Sequence, residues 1–136
     1  MAFLIKVFNS SSMEFLPISK VERAVIKALK AERKKQAEIN IIYLDNDEIR
    51  KINKKYLSHD YVTDVISFQL GENRIEGEIY IGTGKAKEQA VEFKVSMTKE
   101  LMRLAVHGAL HIIGYNDNSV EKRKQMFYLE TKYIEN

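Results

Sequence analysis

The chain has 136 residues, of which 45% are hydrophobic and 30% charged, a balance that is typical of a globular domain and excludes an intrinsically disordered chain. Its formal charge of +3 is mildly basic, which is compatible with a polyanionic partner but does not require one. Cysteine is absent, so disulfides are excluded and any metal ion must be bound by histidine and carboxylate side chains.

Length predicts a single domain over residues 1–136. The first residues, MAFLIKVFNSS, are apolar over too short a stretch for a signal peptide. No window approaches the roughly 20 apolar residues of a membrane-spanning helix. We therefore expect a cytoplasmic protein without a membrane partner.

Strands and helices alternate along the chain in the pattern of apolar residues. Strands are predicted at residues 2–8, 38–44, 62–68 and 77–82, where β-branched and aromatic residues cluster. Helices are predicted at residues 20–35 after a Ser19 cap, from Asp45 or Asn46 to residue 56, at 85–93, after a Thr98 cap, and from Asn118 or Ser119 to residue 134. Four strands interleaved with helices predict an α/β or α+β fold with helices packed on a sheet.

Two of the three histidines lie in the helix that follows Thr98, within the segment AVHGALHIIGYND. Residues four apart lie on the same face of an α-helix, so both imidazoles of His107 and His111 can reach one ion. Gly114 can adopt the left-handed conformation that ends a helix, and the chain can then fold back to present the Asp117 carboxylate.

The offsets of these residues match a known zinc-binding pattern. In the metzincin motif H-E-x-x-H-x-x-G-x-x-H the ligands and the glycine stand at the same distances from the first histidine. Three protein ligands with an open fourth position are typical of a catalytic zinc, so we expect one Zn²⁺ at His107, His111 and Asp117. The alternatives are ordinary core or surface histidines beside a helix cap, or a non-haem iron site.

Gly108 occupies the position of the glutamate that serves as general base in zinc peptidases. Because glycine cannot accept a proton, a standard peptidase mechanism is not expected from this motif.

The segment HGALHIIGYND resembles the H-G-x-L-H-L-x-G-Y-D-H signature of the YbeY family. The stretch INKKYLSHDYVTDVISF (residues 52–68) resembles the family segment that ends in T-D-V-L-S-F, and GEIYI (residues 77–81) resembles its G-D-I-x-I strand. The resemblance implies a zincin-like fold with a four-stranded mixed sheet and a central metal-binding helix. It also implies a zinc-dependent endoribonuclease that prefers single strands and acts in ribosomal RNA maturation and ribosome quality control, with the small ribosomal subunit as partner.

Several positions depart from the family pattern. Asp117 stands in place of the third histidine, Leu57 in place of an arginine expected to bind phosphate, and His59 in place of a lysine. Our candidates for substrate binding are His59, Asp64 and Arg103.

Two of these candidates have a plain structural alternative. Arg103, one turn before His107, could compensate for the arginine missing at position 57, or it could be a solvated surface residue. Thr63 and Asp64 could shape the cleft or could be a hydrogen-bonding pair at a strand edge. The segment Gly82–Thr83–Gly84–Lys85 resembles a phosphate loop but lacks its first glycine and its Ser/Thr, so we interpret it as a strand-to-helix turn.

Three functional hypotheses follow. The leading one is the zinc-dependent endoribonuclease, in which the metal polarises a phosphoryl oxygen and the RNA 2′-hydroxyl or a water is the nucleophile. The second is a ribosome-associated RNA-binding assembly factor with weak chemistry. The third is a metal-dependent hydrolase of another substrate, such as a peptide.

Overall fold

A computed structural model describes residues 2–135. Within that range the chain forms four strands and five helices, and the predicted mixed α/β class is confirmed. In chain order the elements are β1 (Ala2–Asn9), α1 (Ser19–Ala31), β2 (Gln36–Leu44), α2 (Asn46–Leu57), β3 (Val65–Gln69), β4 (Glu76–Gly82), α3 (Thr83–Phe93), α4 (Met97–Ile112) and α5 (Val120–Ile134).

The four strands form one mixed sheet in the order β1-β2-β4-β3. β1, β2 and β4 run parallel, whereas β3 pairs antiparallel with β4 and forms an edge of the sheet. Ile41 of β2 lies opposite Ile79 of β4, and both side chains are fully buried. The sheet centre is therefore a continuous apolar surface on which helices pack.

Helices cover both faces of the sheet. Alternate residues of a strand point to opposite sides, and apolar residues on each side pack against helices. Ile39, Ile41 and Tyr43 of β2 belong to the main core, which includes residues of α1, α4 and α5. On the other face, Ile49 of α2 packs with Leu44 and Ile66 in a smaller cluster. The larger core therefore lies on the face that α1 and α4 cover.

The central helix of this core is α4, which contacts α1, α3, α5, β3 and β4. Its apolar residues face several neighbours at once, as expected for a buried helix. Gly108 lies against β4, where a Cβ atom at that position would come within 2.8 Å of Ile79 Cγ2. The chain therefore needs glycine at position 108 for this close packing, which explains why no glutamate follows His107.

Some helix boundaries differ from the prediction. Ser19 is the first residue of α1, whose cap is Ile18, and the helix ends at Ala31. Arg33, with φ of 62°, turns the chain soon afterwards. Ser96 caps α4, where we expected Thr98, because its Oγ accepts a hydrogen bond from the Lys99 amide at 3.0 Å. The expected cap of α5 is present as Ser119.

Strand β3 begins at Val65, three residues later than predicted. Asp64 Oδ1 accepts a hydrogen bond from the Val65 amide at 2.7 Å, and such local side-chain bonds compete with regular strand geometry. Residues 62–64 therefore lie outside the strand and lead into the sheet. None of the helices in residues 2–135 has the length and apolar character needed to cross a membrane.

Candidate metal centre

The two histidines of α4 converge as their spacing predicted. Their rings lie 4.6 Å apart between centroids, and His107 Nε2 is 3.0 Å from His111 Nε2. Both side chains are partly buried near the C-terminal end of the helix.

The third ligand reaches this point because the chain reverses after α4. The Gly114 amide donates to the His111 carbonyl at 3.1 Å, and Gly114 has a φ of 114°, which favours glycine. The chain then brings Asp117 Oδ2 to 3.6 Å from His107 Nε2 and to 3.5 Å from His111 Nε2. The predicted role of Gly114 in ending the helix is therefore confirmed, and the three side chains form one group that could hold a metal ion.

Hydrogen bonds on the far side of each ring determine which nitrogen faces this group. His111 Nδ1 lies 3.0 Å from the Tyr115 carbonyl oxygen, and a carbonyl can only accept, so Nδ1–H is the donor. His107 Nδ1 lies 2.7 Å from Glu130 Oε2, where an ionised carboxylate likewise accepts from Nδ1–H. In the neutral imidazoles each Nε2 atom then carries the lone pair, on the side of the ring that faces Asp117.

The separations of these three atoms suit a small divalent cation. Nitrogen and oxygen ligands in a tetrahedral zinc site are each about 2.0–2.2 Å from the metal, which puts them roughly 3.3–3.6 Å apart. The 3.0, 3.5 and 3.6 Å separations observed here are close to that range. Two imidazoles and a carboxylate are also a donor set that zinc accepts.

A buried ionic cluster lies behind His107. Arg103 donates through a terminal nitrogen to Glu130 Oε1 at 2.9 Å and through Nε to Glu100 Oε1 at 2.9 Å. Burial alone lowers the pKa of the Arg103 guanidinium, but the hydrogen bonds and charges of Glu100 and Glu130 outweigh burial and raise that pKa above its usual value. The alternative that Arg103 is a solvated surface residue is wrong, since only 15% of its side chain is exposed.

A second arm of the cluster reaches Asp64. Gln89 Oε1 accepts a hydrogen bond from Arg103 at 3.4 Å, and its Nε2 donates to Asp64 Oδ2 at 3.1 Å. Because Oδ1 already accepts from Val65, both carboxylate oxygens of Asp64 are fixed. Asp64 therefore lies in the wall of the cleft beside the histidines, and its carboxylate is bonded to Val65 and Gln89 rather than paired with Thr63.

The side chains of His107, His111 and Asp117 open into a cleft of about 450 Å³ between α2, β3 and α4. Its walls are formed by Leu57, Asp64, Val65, Ile66, Ser67, Gln69, His107, His111, Ile112 and Asp117. Leu57, the last residue of α2, is 43% exposed at this cleft.

Two of the predicted substrate-binding residues lie elsewhere. His59 is not part of the cleft wall; its ring stacks on Tyr61 at 5.3 Å, and its Nδ1 is 3.1 Å from the Tyr61 hydroxyl. Arg103 does not line the cleft either, because its guanidinium is engaged by the two glutamates behind His107.

The segment that resembles a phosphate loop is a strand-to-helix turn, as we interpreted it. Gly82 ends β4 and Thr83 begins α3. The buried Thr83 hydroxyl donates to the Leu44 carbonyl at 3.2 Å, so it is already occupied within the fold.

Sequence reasoning missed Glu100 and Glu130. Glu130 lies between the buried residues Met126 and Tyr133 on the inner face of α5. A single acidic residue in that apolar stripe was the available signal, because a carboxylate is rarely buried without a partner.

A family model described as Endoribonuclease YbeY matches residues 7–136. Proteins named endoribonuclease YbeY from Chlorobium limicola and Chloroherpeton thalassium are 40% and 36% identical to it, over 96% and 94% of this chain and 90% and 92% of theirs. The solution structure of TM1509 from Thermotoga maritima is similar with a TM-score of 0.67 at 30% identity, covering 96% of this chain and 87% of that one. These matches, together with the histidine motif on the central helix, show that the chain belongs to the endoribonuclease YbeY family.

Proposed function

We propose that this chain is a zinc-dependent endoribonuclease that cleaves single-stranded segments of ribosomal RNA, in rRNA maturation and ribosome quality control. The observation that carries the proposal is the convergence of His107, His111 and Asp117 in an open cleft, in a member of a family of endoribonucleases. We further propose the small ribosomal subunit as its partner and the cytoplasm as its location.

The three ligands would bind one cation through His107 Nε2, His111 Nε2 and a carboxylate oxygen of Asp117. When bound, the metal would supply Lewis acidity that polarises a phosphoryl oxygen of the RNA. With three protein ligands, a zinc ion retains an open coordination position, as catalytic zinc sites do. Asp117 brings a negative charge where a histidine ligand would bring none, which favours metal retention but weakens the Lewis acidity.

The cleft wall beside the ligands is where we place the RNA. Ser67 and Gln69 offer hydrogen-bonding side chains along β3, and Asp64 is held rigidly in the same wall. No arginine or lysine lines the cleft within the described residues, so the cation is the main positive charge available to a phosphate there. RNA also carries its own 2′-hydroxyl nucleophile, so a protein base at position 108 is not required.

A peptide substrate is disfavoured by the packing of α4. Gly108 has no room for a side chain against Ile79, so the general base of zinc peptidases has no place in this motif. A binding role with weak chemistry has one observation in its favour, the exposed Leu57 at the cleft. The experiment below distinguishes these possibilities.

Protein purified without a histidine tag is incubated with an end-labelled single-stranded RNA, the matching duplex, and casein, each with and without chelator. We expect cleavage of the single strand alone, loss of cleavage with chelator, and recovery when Zn²⁺ is added back. Elemental analysis of the same preparation measures the bound metal.

The matched pair of variants is His111→Ala and His59→Ala, which remove a proposed ligand and a histidine outside the cleft. His111→Ala is expected to abolish bound metal and cleavage, and His59→Ala to retain both. Full cleavage by a metal-free His111→Ala protein would refute the ligand assignment. Metal-site variants that still support rRNA maturation in cells would favour the binding role.

A further inference from the structure

The ionic cluster behind His107 contains two glutamates that are almost completely buried. Glu100 and Glu130 are each 1% exposed, on α4 and α5 respectively. Arg103 lies between them and contacts both, at 2.5 Å from Glu100 Oε2 and 2.9 Å from Glu130 Oε1. The ring centroids of Phe93 and Phe127 lie 5.4 Å and 5.8 Å from Cζ of the Arg103 guanidinium.

Fold stability does not readily explain such a cluster. The desolvation penalty of buried ion pairs often cancels their attraction, and apolar replacements of similar volume are commonly neutral or stabilising. One guanidinium also serves two carboxylates here, so the cluster is not a simple neutral pair. The cluster therefore points to a role beyond fold stability, through the other groups that the two glutamates contact.

The two glutamates differ in one contact. Glu130 Oε2 lies 2.7 Å from His107 Nδ1, whereas among residues 2–135 the side-chain hydrogen bonds of Glu100 go to Arg103 alone. The other histidine, His111, is oriented by the backbone carbonyl of Tyr115. Within the described residues, Glu130 is thus the side chain that fixes the ring of a proposed metal ligand from behind.

We propose that Glu130 is a positioning residue for the metal centre, and that Arg103 positions Glu130 in turn. Glu130 Oε2 accepts a hydrogen bond from Nδ1–H of His107. The Nε2 lone pair of the neutral ring is therefore directed at the point where His111 and Asp117 converge. The Arg103 bond to Oε1 leaves Oε2 directed at the imidazole. This inference rests on the metal-binding part of the proposed function and not on the identity of the substrate.

The test compares Glu130→Leu with the matched control Glu100→Leu, because both remove a buried partner of Arg103 and only one removes the contact to His107. The first readout is the dissociation constant of the protein for Zn²⁺, measured by competition with a chromophoric chelator. Loss of such an outer partner typically weakens metal binding by about 10–100-fold, which we expect for Glu130→Leu. For Glu100→Leu we expect a dissociation constant close to that of the wild type.

The second readout is the tautomer of His107 in the metal-free protein, from imidazole ¹⁵N–¹H NMR correlations. The wild-type ring and the Glu100→Leu ring should carry the proton on Nδ1, whereas Glu130→Leu should show a mixture of tautomers. Glu130→Gln keeps an oxygen that can accept from Nδ1–H, so it should restore the Nδ1–H tautomer and part of the metal affinity. It also serves as the test variant, against Glu100→Gln, if the leucine variants do not fold.

Equal Zn²⁺ affinities and equal His107 tautomers in the Glu130 and Glu100 variants would overturn the proposal and leave a purely structural cluster. Neither readout contains RNA, so failure of the endoribonuclease assignment is observed separately from failure of this one.

Discussion

Gly108 marks the closest approach of the metal-binding helix to the sheet, and Gly108→Ala tests how tightly the two are packed. An added Cβ would lie 2.8 Å from Ile79 Cγ2 and 3.0 Å from both Cγ1 and Cδ1. Favourable carbon contacts are about 3.5–4.0 Å, so α4 or Ile79 must move by several tenths of an ångström. Ile79 is fully buried at the sheet centre and has little room to do so.

The expected magnitude is the difference of two effects. Overpacking a core costs about 1–3 kcal/mol, whereas replacing glycine by alanine inside a helix gains about 1 kcal/mol. We therefore expect Gly108→Ala to lower the free energy of unfolding by about 1 kcal/mol, measured by urea denaturation.

The Ile79→Ala background isolates the steric term, because this change removes all three clashing atoms. Ile79→Ala is itself destabilising by about 2–5 kcal/mol. In that background Gly108→Ala should become stabilising by up to about 1 kcal/mol, since only the helix propensity remains. A stabilising effect of Gly108→Ala in the wild-type background, or the same effect in both backgrounds, would contradict the reasoning.

Three further predictions concern the cleft rim, a helix cap and alkaline pH. Leu57→Arg places a cation at the cleft. In fluorescence anisotropy titrations with single-stranded RNA, a plot of the logarithm of the association constant against the logarithm of the salt concentration should therefore steepen in slope by about 0.7. Ser119→Ala removes the bond at 3.1 Å from the Lys122 amide that caps α5, and should lower the unfolding free energy by about 1 kcal/mol in urea. A hydrogen bond to Glu32, with burial, raises the pKa of Tyr115 from 10.0 to about 12. Because the pKa of Tyr115 is higher in the folded than in the unfolded protein, its contribution to stability is fully present below pH 10 and is lost as pH rises through about 12. The urea midpoint should therefore fall less steeply over that pH range in the Tyr115→Phe variant than in the wild type.

The most reliable sequence predictions were those that depend on neighbouring residues in the chain. The spacing of His107 and His111 places both rings on one helical face, and Gly114 permits the turn that delivers Asp117. These relations follow from backbone geometry over a few residues, so no knowledge of the rest of the fold is needed. The alternation of strands and helices was predicted for the same reason, although the start of β3 depended on a side-chain bond of Asp64.

The environment of Arg103 could not be predicted in this way. A position one turn before His107 is equally compatible with solvent, with phosphate and with the interior. Its burial is decided by α5, which brings Glu130 from 27 residues away in sequence against α4. The strand order, with β4 between β2 and the antiparallel edge strand β3, is likewise a matter of how distant segments pack.

The sequence by itself therefore determined the proposed metal ligands, the helix that carries them and the family of the chain. Tertiary structure alone decided what surrounds the ligands: the close contact of Gly108 with Ile79, the cleft that includes Leu57 and Asp64, and the carboxylate of Glu130 behind His107. The physical reason is that local geometry is set by dihedral preferences and short-range hydrogen bonds, whereas burial and long-range partners are set by the joint packing of all the elements.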